Sequence, residues 1–123
     1  MTQRKRSREA EEVEVFVGSG NVFADLDLPD AEELFAKSNL VIEIGRTIKA
    51  RRLTQAKAAA LMGIDQPKVS RLLRGDFKGF STHRIMEFLT RLGRDVEIMI
   101  GPPMRSPRTG SIRVSSIPIR RGR

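Results

Sequence analysis

The chain contains no cysteine, tryptophan or tyrosine, and His83 is its only histidine. Without thiols, disulfides, zinc fingers and cysteine nucleophiles are excluded together. A single imidazole and no glycine-rich phosphate loop leave no constellation for nucleophilic, metal or nucleotide chemistry, so neither catalysis nor a cofactor is expected. Asp25, Asp27 and Asp30 are closely spaced but lack the glycine and glutamate of a calcium loop, so no metal is expected either. Phenylalanine alone represents the aromatics, which disfavours a single-strand nucleic-acid platform of stacked rings. No apolar run approaches a membrane span, and no signal-peptide core follows the basic start. The expected location is cytoplasmic, with no membrane partner.

Positive charge is abundant. The 123 residues carry a formal charge of +8, with a pI near 11.0. A polyanion is the natural partner, although ribosomal and RNA-binding proteins share such values. The distribution says more than the total. Residues 14–43 hold seven acidic side chains against Lys37 alone, whereas residues 44–94 hold twelve Lys and Arg against Asp65, Asp76 and Glu87.

The chain divides into three parts. Residues 1–12 are charged throughout, and Arg4, Lys5, Arg6 and Arg8 make an unstructured basic arm that is either a solvated terminus or a phosphate and minor-groove contact. Residues 13–100 hold the periodic patterns of one domain. Residues 101–123 are rich in Pro, Ser, Gly and Arg without an acidic residue, which predicts a basic flexible tail. Ile112, Val114, Ile117 and Ile119 keep open a tail that orders on a partner.

Within the domain, Val13, Val15 and Val17 alternate with Glu14 and Phe16, a short strand pattern, and Asp95 to Ile100 alternates again. Between them, Leu34, Phe35, Leu40, Val41, Ile44 and Ile48 recur at helical spacing over residues 30–52. Arg46, Lys49, Arg51 and Arg52 gather toward the end of that helix, as dipole partners or phosphate clamps. Ser81 can cap a later helix whose apolar stripe is Ile85, Met86, Leu89 and Leu92.

Residues 54–75, TQAKAAALMGIDQPKVSRLLRG, are the most informative stretch. Thr54 stands at an N-cap position before a run of strong helix formers, and Gly63 follows where a chain leaving a helix needs a positive φ. Asp65 can cap a second helix with Pro67 in its first turn, and Gly75 ends it. Val69, Leu72 and Leu73 then share one face, leaving Gln66, Ser70, Arg71 and Arg74 outside it. Two short helices about a glycine turn, with a polar outer face on the second, are the layout of a helix-turn-helix DNA reader.

This segment resembles the Xre, or lambda-repressor and Cro type, helix-turn-helix. Three blocks, at 18–34, 53–75 and 80–100, together resemble the HigA-like antitoxin branch of that family. The resemblance implies a mainly α, lambda-repressor-like helical bundle. It also implies a small dimeric repressor that binds its own operator and often neutralises a toxin encoded beside it. The two short flanking strands could pair with each other or each across a two-fold axis with its copy in a second subunit; they are expected to serve dimerisation, the C-terminal one by preference.

The predicted reading mode is conventional for such a motif. Gln66 would pair with adenine and Arg71 with guanine in the major groove, with Ser70 beside them. Gln55 resembles the family position that touches a phosphate and braces that contact. Lys68 and Arg74 border the groove, and Lys57, Lys78 and Arg84 are further phosphate candidates. A solvated helix face is the competing reading for each. The expected partners are double-stranded operator DNA, of palindromic design, and a second copy of the chain, with a cognate toxin as a further candidate. A free-standing repressor without a toxin is the alternative, as is a module whose main role is binding a protein partner through the acidic 14–43 region and the tail.

Overall fold

The computed structural model describes residues 3–6, 14–17, 31–105 and 109–119. Among these residues two strands and four helices appear in chain order: β1 (Gln3–Arg6), β2 (Glu14–Val17), α1 (Ala31–Ala50), α2 (Gln55–Met62), α3 (Gln66–Leu73) and α4 (Thr82–Arg91). The protein is a mainly α-helical bundle that contains a helix-turn-helix.

Local chemistry sets the helix boundaries. The side chains of Thr54, Asp65 and Ser81 accept from the backbone N–H groups of Lys57, Lys68 and Arg84 at 3.1, 3.0 and 3.0 Å, starting α2, α3 and α4. Glu32 and Glu33 occupy the first turn of α1 and Lys49 its last, each complementing the helix dipole. Gly63 ends α2 at φ 79°, and the N–H of Ile64 closes back on the carbonyl of Ala59 at 3.1 Å. The end of α1 uses the same closure without glycine. Arg52 takes φ 56°, with Arg52 N–H on Lys49 O at 3.1 Å and Leu53 N–H on Ile48 O at 3.0 Å.

The core runs through all four helices. Ile44 of α1, Ala58 and Met62 of α2, Val69 and Leu72 of α3, Ile85 and Phe88 of α4, and Leu92 just beyond are buried together. Helix α1 packs most extensively on α4, while α2 packs on α3. Phe88, absent from the predicted α4 stripe, meets Phe80 edge to face, centroids 5.7 Å apart at 71°. Val114 of the C-terminal region also packs against this core, and the N–H of Ile112 donates to Glu32 Oε1 at 3.2 Å. Residues 112–119 therefore pass beside α1.

The expected flanking strands for dimerisation are overturned. The helical body holds no β-strand among the described residues, and residues 94–100 take no regular secondary structure. Alternation alone does not make a strand, because its backbone N–H and C=O groups need partners and one face must be buried to fix the register. Val96 touches the core, but Ile98, Met99 and Ile100 are 74%, 88% and 91% exposed, so both faces of that alternation lie in solvent. The ladder among the described residues is β1 with β2, antiparallel, in the register Gln3 to Val17 and Arg6 to Glu14. It pairs Glu14–Val17 with the amino-terminal segment of the same chain.

Candidate nucleic-acid interface

Helices α2 and α3 form the two arms of the motif, joined by Gly63, Ile64 and Asp65. Val69 and Leu72 are fully buried and Leu73 half-buried, which fixes the rotation of α3 about its own axis. The opposite face is therefore determined. Pro67, Arg71 and Arg74 are exposed on it and Ser70 partly so, while Gln66 and Lys68 are exposed at its borders in the first turn. Helix α2 offers half-buried Gln55 and exposed Lys57 at its start, next to the Thr54 cap, and Lys78 is exposed in the loop between α3 and α4.

These side chains are organised among themselves. Arg74 Nη1 donates to Ser70 Oγ at 2.8 Å, one turn back along the helix. Arg71 Nε lies 3.5 Å from Asp76 Oδ2, and Lys68 Nζ lies 3.9 Å from Asp65 Oδ2. All are exposed enough for competing phosphate or base atoms to exchange with them. Asp76 was not among the sequence-predicted site residues. Its signal was an acidic side chain, directly after Gly75, in an otherwise basic stretch.

Other candidates are committed elsewhere. Arg84 lies over the rings of both Phe80 and Phe88, 5.6 and 5.4 Å from their centroids, so its guanidinium lids the aromatic pair. Arg51 Nη1 donates to the carbonyl of Leu92 at 2.9 Å, capping the end of α4. Arg46 Nη1 bonds Glu43 Oε2 at 2.8 Å. Of the basic group at the end of α1, Lys49 and Arg52 are exposed. Among the described residues no cluster of His, Cys, Asp or Glu could hold a metal ion, and no helix is long and apolar enough to cross a membrane. An open groove of about 460 Å³ lies between α1 and residues 116–119, walled by Glu43, Arg46 and Lys49, away from the outer face of α3.

Comparison with known proteins decides the family. The helix-turn-helix domain family model matches residues 22–101. A solved structure described as an XRE-family transcriptional regulator is 45% identical, spanning 70% of this chain and 97% of its own, with a TM-score of 0.64. The chain belongs to the Xre-type helix-turn-helix family. No curated protein matches. As an Xre-type transcriptional regulator the protein binds DNA and is not an enzyme. The second helix of the motif in this Xre-type chain is α3.

Proposed function

We propose that this Xre-type regulator is an autorepressor that reads a palindromic operator as a homodimer, with Gln66, Ser70 and Arg71 on base edges and Gln55, Lys57, Lys68, Arg74 and Lys78 on phosphates. The observation that carries this reading is the outer face of α3, where polar side chains stand exposed opposite the buried Val69 and Leu72. Gln and Arg on such a face match the acceptor and donor patterns of adenine and guanine. One reader helix covers few base pairs, so two copies one DNA turn apart supply the specificity of a cytoplasmic repressor.

The sequence blocks at 18–34 and 80–100 favour a finer role, an antitoxin of a toxin-antitoxin pair. A basic toxin would find exposed Glu32 and Glu33 at the start of α1, whereas Glu43 is turned inward. A free-standing repressor is the competing reading. Two measurements separate these. Titration of the native chain against duplex from immediately upstream of its own gene should show tight binding that a scrambled duplex of equal composition lacks. A small basic protein should copurify with the chain expressed from its own operon. Equal binding to both duplexes would refute autorepression, and recovery of the chain alone would refute the antitoxin role.

A further inference from the structure

Asp76 stands one residue beyond Gly75 and closes back on α3. Gly75, at φ 96°, turns the chain, and the Asp76 N–H bonds the carbonyl of Arg71 at 3.0 Å while the Gly75 N–H bonds that of Leu72 at 3.0 Å. This pair of bonds is the closure commonly found at helix ends. Its consequence here is positional. The backbone of Asp76 is tied to the backbone of Arg71, and its carboxylate is brought to 3.5 Å from the Arg71 guanidinium.

The atom involved matters. The contact is to Nε, on the stem side of the guanidinium, whose end-on edge is formed by the two terminal nitrogens. Guanine offers two acceptors, O6 and N7, which those two nitrogens match end-on. A long, exposed arginine otherwise loses considerable rotamer freedom when it docks. We infer that Asp76 is a positioning residue for specificity, a buttress that holds the guanidinium of Arg71 in the plane required for end-on recognition of guanine. This inference rests on the base-reading role proposed for Arg71.

The buttress differs from a simple counter-ion in what it does to selectivity. Removing a counter-ion strengthens binding to every duplex, because one negative charge leaves a surface that faces phosphates. Removing a buttress lowers the preference at one base position, whatever happens to the total. Asp76 is exposed and outside the core, so its variants are expected to fold.

The test is selection from a randomised duplex pool by the full-length wild type, Arg71→Ala, Asp76→Ala and Asp76→Asn. The wild type should enrich guanine at one position of each half-site, and Arg71→Ala should abolish that preference. Asp76→Ala should reduce it about two- to five-fold, the range an exposed ion pair supplies, at that position and no other. Asp76→Asn should fall between. An unchanged guanine preference in Asp76→Ala, with the preference lost in Arg71→Ala, would overturn the buttress while leaving the base reader standing. No change in Arg71→Ala would overturn the base-reading role, and the buttress with it.

Discussion

Arg94 reaches from the segment after α4 to Glu43 on α1, its Nη1 lying 3.3 Å from Oε1 of the carboxylate and 2.9 Å from Thr47 Oγ1. Arg46 Nη1 holds the other oxygen of Glu43 at 2.8 Å, and Thr47 Oγ1 donates to the Glu43 carbonyl at 2.7 Å. The Glu43 side chain is only 10% exposed, so this network replaces the water that its carboxylate would otherwise need. It ties the exit of the last helix to the middle of the first.

Removing one member should therefore cost stability. Glu43→Ala is expected to lose about 2–3 kcal/mol, because it leaves Arg94 partly buried without its counter-charge. Urea denaturation measures the loss, and a double-mutant cycle with Arg94→Met should show strong coupling. Additive losses would mean that the contact is incidental.

Gly63→Ala should lose about 1–2 kcal/mol, the cost of holding an L-residue at φ 79°. The new Cβ would also stand 3.1 Å from Arg91 Nη1, but that atom ends a flexible side chain that can move aside. The backbone term should dominate. Thermal melting of Gly63→Ala with and without Arg91→Ala separates the two, and rescue by the second substitution would show that the clash dominates instead.

Arg52 poses the converse case. A non-glycine residue at φ 56° is strained, so Arg52→Gly should stabilise the chain by up to about 1 kcal/mol after glycine's greater unfolded entropy is subtracted. If Arg52 contacts a phosphate, the same substitution should weaken binding to all duplexes alike and flatten the salt slope by about one unit. Denaturation and salt titration of one variant give both readouts. Stability unchanged or lowered would contradict the strain.

Arg84→Ala should lower stability by about 0.5–1 kcal/mol through loss of its position over Phe80 and Phe88. Operator affinity at matched folded concentration should stay near that of the wild type. A uniform loss of DNA binding would return Arg84 to the phosphate contacts.

What was legible in the sequence was chemistry confined to a few neighbouring residues. Thr54, Asp65 and Ser81 cap helices because each acts on an N–H three residues away, and Gly63 turns because of its own φ. The outer face of α3 followed from the spacing of Val69 and Leu72. What was not legible depends on distant partners. Glu43 counts as one more surface acid until Arg94, 51 residues on, is seen beside it. Arg84 reads as a phosphate ligand until Phe80 and Phe88 are brought beneath it. Residues 95–100 read as a strand because alternation reports side chains, whereas a ladder depends on backbone partners that the fold does not supply. Arg52 hid the end of α1, since no sequence signal marks an arginine that takes the glycine conformation.

On the proposed function, the outer face of α3 reads bases and its border holds phosphates. Fluorescence anisotropy of labelled duplex from upstream of the gene, titrated across a salt series with wild type, Arg71→Ala and Arg74→Ala, tests it most directly. Arg71→Ala should lose roughly 1–3 kcal/mol on that duplex and little on a scrambled one, whereas Arg74→Ala should weaken both and reduce the salt slope by about one unit. Equal losses on both duplexes from Arg71→Ala would contradict the claim and reduce α3 to a non-specific phosphate surface.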